Sequence, residues 1–351
     1  MNPATWLLTD PSPCLRYLVL RELFDLQDDH PEVLELTTQR MQDNAVLELI
    51  NLQEVDGSWK TGSGLSGKLV GSTVLTTAYV LARLGFMGFD SRYSFIARGA
   101  EFVFSQQKQD GSWILSGEYD DLSDPDIYSG RDRYSMMPLQ TAYPLRGLAV
   151  CGYATDPRAE RAYEWLRNKQ LEDGAWPTGI AEGVYGYVAG YRRLPHSRWG
   201  CRSNTTAAVI CLSLHPERRK QSETRKALDL LLGIEKRDAF AVGHEVSRLV
   251  GAEPAHGFIS YFAKFDVALV LNLCSLIEAS IDDDRISSNI KFVESLRRST
   301  GLWDYQVSPR ASRWVSYDLM RTIKKLGLST DWFNLEPTTP FQAYPRKLKR
   351  F

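Results

Sequence analysis

Three segments of this chain spell one seven-residue pattern: Gln53-Glu54-Val55-Asp56-Gly57-Ser58-Trp59, Gln107-Lys108-Gln109-Asp110-Gly111-Ser112-Trp113 and Gln170-Leu171-Glu172-Asp173-Gly174-Ala175-Trp176. All read Gln-x-x-Asp-Gly-small-Trp, spaced 54 and 63 residues apart, and a weaker fourth copy, Arg297 to Trp303, keeps only the Gly and the Trp. A repeat of this length suits a helical hairpin with its loop, a unit that cannot cover its own apolar face and has to stack on neighbours. The chain is thereby restricted to a repetitive helical architecture.

Each strong copy follows an amphipathic stretch with apolar residues at helical spacing: Pro31 to Leu52, Ser91 to Gln106 and Pro157 to Lys169. The spacing predicts three helices there, each stopped by the left-handed Gly of the motif. The Gln then bonds loose backbone groups at the helix terminus and the Trp packs over it, so Trp59, Trp113 and Trp176 are expected to be structural seams between repeats. More apolar helices are predicted at Pro13 to Leu26, Gly71 to Gly85, Met137 to Gly152, Ser203 to Leu214, Tyr261 to Ile281 and Trp314 to Gly327. With further amphipathic helices at Gln221 to Ile234 and Arg285 to Arg298, the expected fold is all-α. It is an (α/α)6-like toroid, an inner ring of apolar helices inside an outer amphipathic ring, with one outer helix missing or replaced by the tail.

The connections are asymmetric. Inner-to-outer turns are short, as at Phe86 to Asp90, whereas Glu54 to Val70, Lys108 to Met136, Leu171 to Arg202 and Glu235 to Ser260 are long and share the rim at the N-termini of the inner helices. Loop-borne function is expected on that rim. A single domain, with a repeat core of about 13–327 and a tail of 328–351, is allowed at 351 residues with 43% hydrophobic residues.

Lys and Arg total 42 against 43 Asp and Glu, without a basic face, which argues against nucleic acid as a partner. The longest apolar run, Val267 to Ile277, is too short to span a bilayer, and residues 1–20 do not read as a secretory signal. Five scattered cysteines fit thiols in a reducing cytoplasm. The basic end, Arg346 to Phe351, either touches anionic lipid at a membrane surface or is a solvated tail.

The three strong copies resemble the repeats of squalene-hopene and oxidosqualene cyclases and, more loosely, of protein prenyltransferase β subunits, over roughly residues 34–327. That resemblance implies a hollow barrel lined by aromatic and apolar side chains, an apolar isoprenoid as small-molecule substrate, and a terpenoid-cyclase-like activity. Other readings are a non-catalytic toroid binding a lipid or protein, and a zinc-dependent prenyltransferase or peptide-modifying enzyme.

Squalene cyclases carry an Asp-x-Asp-Asp acid that this chain lacks; Asp282-Asp283-Asp284 is nearest in composition but reads as a helix cap. Two other acids follow an aromatic at the start of inner helices, Asp266 after Phe265 and Asp318 after Tyr317. A desolvated carboxyl beside an aromatic face suits protonation of an alkene, and Asp266 is preferred because its helix reads as the longer and more apolar. The substrate wall is expected from Tyr143, Phe262, Phe265, Trp314 and Tyr317, with Tyr185, Tyr187 and Tyr191 forming either a lid or a packed surface loop over the barrel mouth. Asp120, Asp121 and Asp124 are similar to the Asp-Asp-x-x-Asp with which isoprenoid enzymes hold magnesium and diphosphate, or form a solvated acidic loop. Cys201, His196 and His256, in or beside rim loops, are the candidate zinc ligands.

Overall fold

A computed structural model describes residues 3–60, 72–113, 138–181, 184–185, 188, 192–233, 241–253 and 265–328. The chain begins with a 3-10 helix, Pro3–Thr9, and continues through α1 (Pro13–Leu18, prolonged by a π turn, Val19–Leu23), α2 (Pro31–Gln39), α3 (Asn44–Asn51), α4 (Thr73–Phe86) and α5 (Ser94–Ser105). There follow α6 (Pro138–Leu148, prolonged by a second π turn, Ala149–Tyr153), α7 (Pro157–Arg167), α8 (Arg202–Leu214) and α9 (Ser222–Leu232). The last four helices are α10 (His244–Leu249), α11 (Val267–Leu276), α12 (Asp284–Ser295) and α13 (Ser312–Leu328). Between α7 and α8 lies a two-residue antiparallel hairpin, Ile180–Ala181 with Val184–Tyr185.

Helices α1, α4, α6, α8, α11 and α13 form the inner ring, consecutive members from α4 to α13 packing side by side and α13 closing on the π turn after α1. The α2–α3 pair, α5, α7, α9 and α12 lie outside, each against the inner helix that precedes it. An inner helix is covered on both sides, which is why α4 and α11 are apolar around most of their circumference while α5 and α12 are amphipathic. The main core cluster runs from Leu7 to Leu326. Lys324 ties the seam, donating to the carbonyls of Glu22 and Leu23 at 3.1 and 3.2 Å.

The sixth outer place is different. The N-terminal 3-10 helix packs on α13 there; residues 329–351, the expected replacement, lie outside the described residues. Pro31 to Leu52 is two helices rather than the predicted one, because the Asp43 carboxylate caps a new helix by accepting from the Ala45 amide at 3.0 Å. Arg40 turns inward at the break, donating to the Met87 carbonyl at 3.0 Å and lying over the Tyr17 ring. The inner helix predicted from Tyr261 to Ile281 is described only over Val267–Leu276, so α13 is the longer of the two helices that carry candidate acids.

The repeated motif builds the same joint four times. Each Trp side chain is buried, and its indole N–H donates to a carbonyl ten residues earlier on the outer helix just completed: Trp59 to Leu49, Trp113 to Val103, Trp176 to Leu166 and Trp303 to Val293, at 2.6–2.8 Å. Each Trp amide N–H donates to a hydroxyl of the next inner helix, from Thr77, Thr141, Thr205 or Ser316. The Gln amide donates both to its own motif Gly and to the first turn of the next outer helix, as Gln107 does to Gly111 and Arg158 at 2.9 Å. In the fourth copy Arg297 supplies the bond to Gly301 from its guanidinium, at 2.8 Å.

The motif Gly does not end the helix. It closes the tight turn after it, in which the Lys108 amide donates to the Ser112 carbonyl at 2.8 Å and Gly111 stands at φ +91°. A Cβ at Gly111 would collide with the backbone of Arg161, so both conformation and close approach require glycine.

Candidate active site

The segment 235–260, read from sequence as a rim loop, contains α10, and this short helix enters the barrel. All six of its residues, His244 to Leu249, are buried although four are polar. Tyr79 of α4 donates to the Arg248 carbonyl at 2.6 Å, Arg83 donates to the Leu249 carbonyl at 3.0 Å, and Arg248 donates to the Tyr143 hydroxyl of α6 at 2.8 Å. From the other side α10 packs on α13. Polar groups survive here because they satisfy one another out of water.

Asp266 holds the start of this helix. One of its carboxylate oxygens accepts from the amides of Gly243 and Ala268 at 2.9 and 3.1 Å, and the other accepts from Glu245 at 2.8 Å, so one side chain caps both α10 and α11. Burial pushes the carboxyl up to about 6, against the lowering effect of those N–H donors. The raised value means that the folded state binds the proton more tightly than the unfolded chain. Stability contributed at this position is therefore greatest at acid pH and declines as pH rises from about 3.8 to about 6. The stability difference between wild type and Asp266→Asn is expected to move against the wild type across that window and to be flat above it, by urea denaturation at pH 4 to 7.5. A difference constant with pH would contradict this.

Beneath α10 lies a chamber of about 170 Å³, between the C-terminal halves of α4, α6 and α8, the length of α11 and the middle of α13. It lies in the half of the barrel opposite the long-loop rim. Aliphatic side chains of α8, α10 and α11 and the Phe86 ring make most of its wall, and five charged groups interrupt it: Arg146 paired with Glu245, Asp318 paired with Arg321, and Glu22. Phe86 is backed by Trp314, with ring centroids 5.8 Å apart, and Trp314 by Tyr317 at 6.5 Å.

Glu245 and Asp318 have opposite surroundings. Burial would raise Glu245, but Arg146 and Arg248 outweigh it and hold Glu245 below the usual glutamate range. Asp318 is buried, 3% exposed, and burial together with nearby Glu22 raises it above the usual aspartate range despite Arg321 at 2.6 Å. The two acids are thus shifted in opposite directions within one chamber.

Asp318 is thus the sequence candidate that borders the chamber. Tyr143 lies above it with Arg248, Trp314 and Tyr317 lie behind Phe86, and Phe265 precedes Asp266 at the start of α11. Tyr185 is described only as backbone in the hairpin; Tyr187, Tyr191, Phe262, Asp120, Asp121, Asp124 and His256 lie outside the described residues. Cys201 is buried, its amide donating to the Trp176 carbonyl at 2.8 Å, and His196 stands at φ +66°. Among the described residues no three His, Cys, Asp or Glu side chains are grouped to hold a metal ion. Arg146, Glu245 and Arg321 were not anticipated, since isolated charges within apolar or short helices carry no periodic signal.

The fold and the chamber define an α/α toroid with an acid in an apolar interior. Residues 31–188 match the family model of the squalene-hopene cyclase C-terminal domain. A probable squalene-hopene cyclase of Sinorhizobium fredii is 33% identical over 147 residues, 40% of this chain, and lanosterol synthase ERG7 of Saccharomyces cerevisiae is 26% identical over 132 residues, 38% of it. The matched stretches span 21% and 17% of those relatives' own length. The type II terpene cyclase MstE from Scytonema aligns over 81% of this chain and 96% of its own at 13% identity, with a TM-score of 0.31. Over residues 31–188 the chain is similar to the squalene-hopene cyclase C-terminal domain, a match that covers less than half of its length.

Proposed function

We propose that the chain catalyses a terpenoid-cyclase-like reaction, the proton-initiated cyclisation of an isoprenoid in the chamber beneath α10, with Asp318 as the proton donor. The observation that carries this reading is a buried carboxyl, raised above its usual range, bordering an apolar chamber inside a cyclase-type toroid. Burial favours the protonated form of Asp318, and Arg321 at 2.6 Å stabilises the carboxylate that the transfer leaves. The proton goes to an alkene carbon, the cation forms on its neighbour, and ring closure moves the charge along the chain. Phe86 offers a ring face to that cation, and Glu245, held ionised, is the base that takes the final proton.

The continuous core from Leu7 to Leu326 supports one domain over this span, and five buried thiols without a disulfide support a reducing compartment such as the cytoplasm. No helix among the described residues is long and apolar enough to cross a membrane.

Purified protein incubated with prenyl alcohols and squalene, analysed by gas chromatography with mass detection, is expected to give a cyclised isomer of unchanged mass from at least one of them. No conversion of any prenyl compound would contradict the reading.

A further inference from the structure

Resting on that reading, we propose that the ligand is short and carries an oxygen: an isoprenoid of on the order of two isoprene units, its oxygen received by Arg146. The chamber holds about 170 Å³, comparable with an engineered cavity of about 150 Å³ that takes a benzene ring, and below the roughly 300–1,000 Å³ of pockets for larger ligands. A chain of thirty carbons does not fit such a space.

The limit is set by α10, whose Val246 and Leu249 face the chamber. This roof is firmly held. Asp266 binds its first turn through two amides, Tyr79 and Arg83 bind its carbonyls, and Arg248 binds Tyr143. Extending the chamber past α10 would break these bonds within a buried interior, where each unmet polar group carries its full desolvation penalty.

The polar end follows from Arg146. It is 9% exposed, borders the chamber and pairs with Glu245 through one nitrogen, while its Nη1 has no hydrogen-bond partner among the described residues. A buried guanidinium N–H left unmet beside an apolar space is a place for a ligand acceptor, a hydroxyl or carbonyl oxygen. A pure hydrocarbon would leave it unmet.

Calorimetric titration of the full chain with geraniol, farnesol, squalene and the hydrocarbon myrcene tests this. Geraniol is expected to bind at least tenfold more tightly than farnesol, squalene or myrcene. In Arg146→Met the preference for geraniol over myrcene is expected to vanish, and in Leu249→Ala, or in Val246→Ala should that variant be poorly folded, the deficit of farnesol is expected to shrink. Equal or tighter binding of farnesol or squalene by the wild type, or an unchanged geraniol-to-myrcene ratio in Arg146→Met, would overturn the proposal. Binding is read here without turnover. Geraniol that binds as described but is never cyclised would remove the cyclase reading alone, and squalene that is cyclised would remove the short ligand alone.

Discussion

Trp176→Ala is expected to destabilise the protein by about 3–5 kcal/mol, the range for removing a large buried aromatic. The indole is fully buried between α7 and α8 and spans three elements at once: its ring N–H donates to the Leu166 carbonyl at 2.7 Å, its amide N–H is received by Thr205 at 2.9 Å, and its ring fills the core. Truncation opens a cavity and removes the indole donor from the Leu166 carbonyl, which keeps the Lys169 amide at 3.0 Å, so the cavity is the main cost. Trp176→Phe keeps most of the volume and is expected to lose less. Urea denaturation of the three proteins measures it; an alanine variant within about 1 kcal/mol of wild type would show that the joint is not what holds consecutive repeats together.

Asp318→Asn is expected to lower turnover by about 10²–10⁴-fold, the contribution of a positioned general acid, with the fold retained. The amide is the same size and can still accept from Arg321, but it has no proton to give. Because the acting form is protonated and its carboxyl is raised by burial, wild-type activity is expected to fall as pH rises through a value above the usual aspartate range. Arg321 makes a second test. Replacing it with Met removes the partner of the departing carboxylate, and kcat is expected to fall more than the affinity for substrate.

The toroid was legible because its joints are chemically unusual. A Gln, a left-handed Gly and a Trp at fixed offsets recur at three handovers from an outer to an inner helix, and a fourth keeps the Gly and the Trp with Arg297 in place of the Gln. The hydroxyls that receive the Trp amides recur as well, but 18, 28, 29 and 13 residues after each Trp, because the intervening loops differ in length. Asp43 ended a helix that apolar spacing alone carried through, since a cap is a local hydrogen bond and leaves the period intact.

The chamber was less legible for a related reason. Helix α10 is six residues long and mostly polar, so neither length nor periodicity marks it; its burial depends on Arg146, Tyr79 and Tyr143, which come from other helices. Asp266 and Asp318 looked alike in sequence, each behind an aromatic. What separates them is the company of their oxygens: three backbone amides around Asp266, one guanidinium and a chamber beside Asp318.

The central claim is that catalysis begins with a proton from Asp318, and isotope transfer tests it most directly. Wild-type protein incubated with geraniol in deuterium oxide, and the product isolated into ordinary water before mass analysis, is expected to give a cyclised product that carries one carbon-bound deuterium, and Asp318→Asn is expected to form it about 10²–10⁴-fold more slowly. A cyclised product free of carbon-bound deuterium, or deuterated product formed by Asp318→Asn at the wild-type rate, would contradict the account.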